Sequence, residues 1–348
     1  MAILSADRHP GSRERAYHRF TVKSRRRFLA SALAFAAAPL AGQEKPAAKL
    51  YRIGMLEAVP IAASAFNLGE FHRGMKELGH EEGRTYLVLY RSSEGRAERF
   101  SVLAGELAKQ GVDLFLTRGT PATLAARDTE SGIPVVASAV ADFVEAKLAA
   151  SLEKPGGQVT GLTSQVNELG AKRMELLKAL APGIQRLGAL VSPDNPASLA
   201  IWKAIEAAAP DLRLKVEMID VRKAEELDAR LDAAVKAGID SLIVGVDALT
   251  QANANQVVDF TLRQRLPAAF VARTFVESGG LLSYGVYYPN LYYRAASYVD
   301  KILKGAKPGE LAIDRPTKFE LVINRKTARA LKLVIPPDLF LRSDEILD

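Results

Sequence analysis

The chain has 348 residues, 48% hydrophobic and 25% charged, with a formal net charge of +7. That length exceeds one ordinary core and suits two globular domains. Eight of the 47 Lys and Arg and two of the 40 Asp and Glu lie in residues 1–42, so residues 43–348 carry a net charge of only +1. No basic field is left for a phosphate backbone, and nucleic acid is not an expected partner. The absence of cysteine excludes disulfides, thiolate metal sites, thiol catalysis and a lipidated cysteine anchor.

The first element in chain order reads as an export leader. Ser24-Arg25-Arg26-Arg27-Phe28-Leu29 precedes an apolar run to Leu40. Its length suits a signal peptide and is too short to span a bilayer. Small residues follow at Ala36, Ala37, Ala38, Ala41 and Gly42. The pattern resembles a twin-arginine signal, with Arg25 and Arg26 as the pair; an ordinary secretory signal with a basic start is the alternative. Both readings place residues after about 42 outside the cytoplasm, and a periplasmic location is expected.

Strand-like runs then alternate with amphipathic helices. Tyr51–Leu56 and Tyr86–Tyr90 read as strands, with a helix between them carrying Phe71, Met75 and Leu78 and stopped by Gly79. Phe100, Leu103, Ala104 and Leu107 form the next helical stripe. Val112–Thr117 and Ile133–Ala137 are short apolar runs typical of buried parallel strands, with a helix starting at Pro121 between them. Lys154-Pro155-Gly156-Gly157 is a turn cluster that reads as a break. After it the alternation restarts, with strands expected at Arg186–Val191, Leu212–Ile219, Ser241–Val246 and Ala268–Val271. One more strand (Leu281–Val286), a helix (Tyr292–Leu303) and two short extended runs complete the chain.

The predicted fold class is α/β, with two doubly wound parallel-sheet lobes of four or five strands each. Residues 50–157 are expected to form the N-terminal lobe, completed by 285–314. Residues 158–284 form the C-terminal lobe, completed by 315–348. Several crossings between lobes make a hinge, and two facing sheets make a cleft at the carboxyl ends of their strands.

Particular stretches carry a family resemblance. GVDLFLTRGTPA (Gly111–Ala122), SLEKPGGQVTGLT (Ser151–Thr163), FVESGGLLSYG (Phe275–Gly285) and the run from Tyr298 to Asp348, which includes PTKFELVINRKTARAL, are together specific. The chain resembles the type I periplasmic solute-binding proteins of ABC transporters, in a subfamily some of whose members bind aromatic amino acids. The resemblance covers nearly all of residues 50–348. It implies a two-lobed binding protein, monomeric, that captures a small-molecule solute and hands it to ABC permease subunits. The sequence departs from the family at Ala141-Asp142-Phe143-Val144, where many relatives have Gly-Asp-Pro-Val. It departs again at Glu57, which replaces a small hydroxylic residue. These departures bear on the ligand and leave the fold in place.

Ligand candidates are the polar residues that follow strand ends. Glu57 lies in the first such loop. Thr120 opens a helix whose free N–H groups favour a carboxylate, or merely caps that helix. Asp142 is a partner for a ligand ammonium or for a cation across the hinge. Phe143 stacks on a ligand or packs under its loop. Thr163 and Ser164 follow the first crossing. Ser192 and Asn195 follow a strand, and Asn195 before Pro196 also reads as an ordinary N-cap. Asp247 is a second ammonium candidate. Arg273 binds a carboxylate or makes a hinge salt bridge. Tyr284 is retained from a cluster that includes Tyr287, Tyr288, Tyr292 and Tyr293, whose other members are expected to serve packing.

No catalytic residue, cofactor or metal is expected. No nucleophile elbow, Walker loop, dinucleotide fingerprint or HExxH motif appears. His72 and His80 stand eight residues apart, too far to share one metal on a helix. The leading function is solute capture for an ABC importer. The alternatives are a sensing module for a kinase or chemoreceptor and an extracytoplasmic enzyme using Asp142 and Asp247.

Overall fold

The structure is a computed structural model that describes residues 49–348, apart from Glu130 and Val246, and only the backbone of residues 166–168. The expected export leader and its cleavage site lie outside the described residues. The strands are β1 (Tyr51–Glu57), β2 (Tyr86–Ser92), β3 (Leu114–Arg118), β4 (Val135–Val140), β5 (Val159–Thr163), β6 (Arg186–Val191), β7 (Lys215–Asp220), β8 (Ser241–Val244), β9 (Ala268–Phe270), β10 (Leu282–Val286), β11 (Phe319–Asn324) and β12 (Glu345–Leu347). The helices are α1 (Ala65–Glu77), α2 (Phe100–Lys109), α3 (Thr120–Arg127), α4 (Val166–Leu180), α5 (Pro196–Ala208), α6 (Leu227–Ala237), α7 (Ala248–Ala252), α8 (Ala254–Gln264), α9 (Arg273–Glu277), α10 (Tyr288–Leu303), α11 (Arg325–Ala330) and α12 (Pro337–Arg342).

Two sheets result. The first has the order β2-β1-β3-β4-β5, and the second β12-β11-β10-β9-β8-β6-β7. Every pairing is parallel except that of β10 with β11. The short, unbroken apolar runs are central strands because helices cover both faces, so alternation is not needed. All six residues of β4 are buried. The first-lobe core includes Ile53, Met55, Leu114, Leu116 and Val136 on one face, and Leu56, Phe115, Val135 and Ala137 on the other. The expected α/β class with two doubly wound sheets is the one observed.

Two expectations differ from the structure. The second lobe was expected to begin at 158, yet β5 pairs with β4 from Val135 opposite Val159 to Val140 opposite Thr163, so this crossing falls after Thr163. Glycine within VTGLT weakens the strand signal. Gly161 is needed because a Cβ there would stand 2.1 Å from the Ala137 carbonyl oxygen, at a φ of +133°. The second sheet has seven strands where four or five were expected. After β10 the chain leaves to form α10, which packs on α1, β4 and β5, and then returns as β11. An isolated bridge joins Leu162 to Asp314 just before that return.

Three passages therefore join the sheets: β5 to α4, β10 to α10, and Asp314 to β11. Arg173 on α4 pins the first to the second. Its side chain is wholly buried, and its Nε donates to the Tyr284 carbonyl oxygen at 2.7 Å. Burial pulls this guanidinium down to about 10. Among the described residues no helix is long and apolar enough to cross a membrane.

Candidate ligand site between the lobes

A cavity of about 40 Å³, partly open to solvent, lies where the carboxyl ends of the two sheets meet. The first lobe supplies loops after β1, β3, β4 and β5, and the second supplies loops after β6 and β8. This is the crevice in which ligands of open α/β sheets bind. The lobes touch around it. Arg118 Nη2 donates to Gln251 Oε1 on α7 at 2.8 Å. Gly95, at a φ of +78°, lies so close to α7 that a Cβ there would be 2.7 Å from the Ala252 Cβ. Ala248 of α7 is buried in the core cluster of the first lobe.

On the first-lobe side, β3 ends at Arg118 and Gly119 turns the chain into α3. Thr120 lines the cavity. The reading of Thr120 as a cap for its own helix is corrected. Gly119 is the N-cap residue, and the buried Thr120 hydroxyl has no hydrogen-bond partner. The helix start is instead braced by Thr123, whose Oγ1 donates to the Gly119 carbonyl oxygen at 2.9 Å. An unpaired hydroxyl at the N-terminal end of a helix thus borders this space, an arrangement that suits a carboxylate.

On the second-lobe side, Asn195 and Asp247 line the cavity together. Each caps its own helix. Asn195 Oδ1 accepts from the Ala197 N–H at 3.1 Å, and Asp247 Oδ1 accepts from the Leu249 N–H at 2.8 Å. Asn195 Nδ2 also donates to Asp247 Oδ2 at 2.9 Å. Burial pushes the Asp247 carboxyl above the ordinary aspartate value, and the hydrogen bonds from Asn195, Leu249 and Ser192 oppose it. With the Ala248 N–H these make four hydrogen bonds to one carboxyl, so a ligand ammonium would share its oxygens with them or displace one.

The other expected site residues divide. Ser164 lines the cavity and donates to the Val140 carbonyl oxygen at 3.3 Å. Ser192 stands behind Asp247 as one of its hydrogen-bond partners, off the cavity wall. Thr163 is buried and its hydroxyl donates to the Ala141 carbonyl oxygen at 2.9 Å, away from the cavity. Asp142 closes its own turn, with Oδ1 accepting from the N–H groups of Val144 and Glu145 at 2.8 and 2.9 Å. It borders a separate hollow of about 10 Å³. Phe143 is fully buried in the first-lobe core, so its packing reading holds.

Arg273 is tied by Nε to Glu277, by Nη1 to Glu320 and by Nη2 to Glu345, at 2.8, 2.8 and 2.6 Å. It clamps α9 to β11 and β12, so it makes salt bridges within the second lobe and not across the hinge. Tyr284 stacks on Phe319 with ring centroids 6.3 Å apart and does not line the cavity. Glu57 is wholly buried one layer behind the wall. Its Oε1 accepts from Ser64 Oγ at 3.2 Å and from the Tyr292 hydroxyl, and its Oε2 faces Arg118 Nε at 3.1 Å. Burial pushes the Glu57 carboxyl up, and the Arg118 charge and the Ser64 hydroxyl pull it back.

Sequence reasoning missed Arg118, Gln251, Phe100 and Tyr288, all on the cavity wall. Tyr288 belongs to the aromatic cluster from which Tyr284 was retained; the cavity takes the other member. The Arg118 guanidinium carbon lies 5.4 Å from the centre of the Tyr288 ring. His72 Nδ1 stands 2.7 Å from the Tyr86 hydroxyl and His80 Nε2 2.8 Å from Asp300 Oδ1, both away from the cavity. No group of side chains that could hold a metal occurs among the described residues.

Two α/β lobes with parallel strands, joined by three passages around an interlobe cavity, define the type I periplasmic binding protein fold. Residues 57–347 match the family described as ABC transporter substrate binding protein, and the chain belongs to that family. Among known proteins, it is 26% identical over 278 residues to the tyrosine-binding protein of Clostridioides difficile strain R20291, covering 79% of this chain and 80% of that one. Among solved structures, the ABC domain from Streptococcus pneumonia in complex with L-Trp is 26% identical, with a TM-score of 0.79, covering 86% of this chain and all of that one. A conserved domain protein from Vibrio cholerae is 25% identical at the same TM-score and the same coverage.

Proposed function

We propose that this protein captures a free amino acid outside the cytoplasm and delivers it to the permease subunits of an ABC importer. The observation that carries the reading is the facing pair within one cavity. The unpaired Thr120 hydroxyl at the start of α3 stands on one lobe, and the Asp247 carboxylate fixed by Asn195 stands on the other. A zwitterion satisfies both ends at once, its carboxylate on α3 and its ammonium on Asp247.

The mechanism follows from where those groups sit. Each lobe offers half of the recognition, so a bound zwitterion lowers the free energy of the closed form relative to the open one. Closure also brings Arg118 onto Gln251 and Gly95 onto α7. The closed surface, complete only when both lobes meet, is what a permease would read. The kinds of ligand printed for the relatives, tyrosine and L-Trp, support the amino-acid class. The family supports the ABC transporter setting, and the basic-apolar leader supports export.

Isothermal titration against the twenty amino acids tests this. One or more should bind with one-to-one stoichiometry and without turnover. No binding by any of them, with a sugar or nucleoside binding in their place, would overturn the reading.

A further inference from the structure

The cavity wall holds one cation, and its setting bears on the ligand's side chain. Arg118 is 10% exposed and lines the cavity beside Tyr288 and Gln251. Its three nitrogens have different tasks. Nε faces Glu57 Oε2 at 3.1 Å, and Nη2 donates to Gln251 Oε1 at 2.8 Å. Nη1 has no partner among the described residues, and neither does the Tyr288 hydroxyl. Glu57 cannot reach a ligand itself. It is wholly buried, and its other oxygen is taken by Ser64 and Tyr292. Its effect is to hold in one orientation the guanidinium of a residue that lines the cavity, with Nη1 left without a partner.

The charges on the wall set a second condition. Glu57 and Arg118 form a neutral pair. Asp247 is the remaining charged side chain on the cavity wall, and it is matched by a ligand ammonium. A net negative side chain on the ligand would find no uncompensated cation on the wall itself; the Arg173 guanidinium near Tyr288, whose Nη1 and Nη2 are unpaired, is wholly buried and does not line the cavity. A neutral group that accepts a hydrogen bond would find the free Arg118 N–H and the Tyr288 hydroxyl.

We infer that Arg118, positioned by Glu57 and lying over Tyr288, is a specificity-determining residue. It selects an amino acid whose side chain ends in a neutral hydrogen-bond acceptor, a phenol or an amide, over the apolar side chain of the same shape and over the corresponding acid. The inference rests on the amino-acid reading of the same cavity and adds to it the chemistry of the distal end. The physical reason is the cost of leaving a buried donor unpaired, which an apolar side chain would impose and an acceptor would relieve.

The test is a titration of the purified protein with L-tyrosine, L-phenylalanine, L-glutamine, L-glutamate and L-leucine. Wild type is compared with the double variant Glu57→Gln/Arg118→Gln. The double change removes both charges together, so neither is left buried alone. Arg118→Lys serves as a second variant that keeps the charge and loses the planar fork. Wild type should bind tyrosine at least about tenfold more tightly than phenylalanine, or glutamine more tightly than leucine and glutamate. The double variant should bring those ratios close to one while still binding the apolar member, and Arg118→Lys should fall between. Unchanged ratios in the double variant, or a wild-type preference for the apolar member, would overturn this inference alone. Failure of every amino acid to bind wild type would overturn the amino-acid reading and this inference with it.

Discussion

Asn195 Nδ2 donates to Asp247 Oδ2 at 2.9 Å, and each of these residues also caps the helix it precedes. The same two side chains therefore end two loops of the second lobe and fix the acid on the cavity wall. A cap that sits just past a strand's carboxyl end also borders the crevice, which is why an ordinary N-cap signal coincides with a candidate binding residue here.

Replacing Asp247 with Asn separates the two roles. Asn is as good an N-cap as Asp, so α7 should remain, but its NH2 would face Asn195 Nδ2 and lose that hydrogen bond, so the melting temperature should fall modestly. The charge that meets an ammonium is gone. Affinity for an amino acid should fall by about 2–4 kcal/mol, roughly 30- to 1,000-fold, in a calorimetric titration. An Asp247→Asn protein that binds as tightly as wild type would remove Asp247 from the site.

The same carboxyl makes binding depend on pH. Burial raises its folded value above the ordinary 3.8. For an acid shifted upward, the folded state takes up its proton first as pH falls. Ligand-free stability from this group is therefore lowest above the raised folded value, and it is regained as pH falls through that value toward 3.8. Ligand affinity moves the other way, because the protonated acid cannot pair with an ammonium. Affinity should weaken on acidification at a pH above the usual aspartate range, and the Asp247→Asn protein should lack that step. Titrations from pH 7 downward, about half a unit apart, would show it.

Thr120→Val is close to isosteric and removes a hydroxyl that has no partner in the protein. Stability should stay level or rise slightly in a urea melt, since no hydrogen bond is lost. Amino-acid affinity should fall by about 1 kcal/mol, roughly fivefold. A loss of stability with unchanged affinity would mean that the hydroxyl serves the fold.

Gly95→Val tests closure without touching the cavity wall. A side chain at that φ of +78° would be strained, and its Cβ would press on Ala252 in the closed form. The lobes should be held apart. Ligand affinity should drop at least about tenfold, because the competent closed state becomes a minor one. Small-angle scattering should show no contraction on adding an amino acid that contracts the wild-type protein. Contraction of the variant equal to that of wild type would show that this contact does not limit closure.

Much of the fold was legible because parallel strands covered on both faces leave continuous apolar runs. Arg186–Val191 is a strand over the range expected, and β1, β2, β8, β9 and β10 differ by a residue or two at their ends. The strand β5 was not legible, because Val-Thr-Gly-Leu-Thr follows a Pro-Gly-Gly turn and contains a glycine that a packed backbone requires. Of the candidate site, Thr120, Ser164, Asn195 and Asp247 were found by position alone, each just past a strand's carboxyl end. Position also selected Asp142, Thr163 and Phe143, whose side chains turn back into their own loops or the core.

The sequence by itself determined the α/β class, the double sheet and the rim of loops from which any ligand must be held, because those depend on local periodicity and on which residues follow strand ends. Only the tertiary structure decided which side chains reach the cavity. Arg118 reaches it because Glu57, 61 positions earlier, is buried behind it, and because Gln251 arrives from the other lobe. Side-chain direction at a strand end is set by packing and charge pairing between segments far apart in the chain, and no local pattern records it.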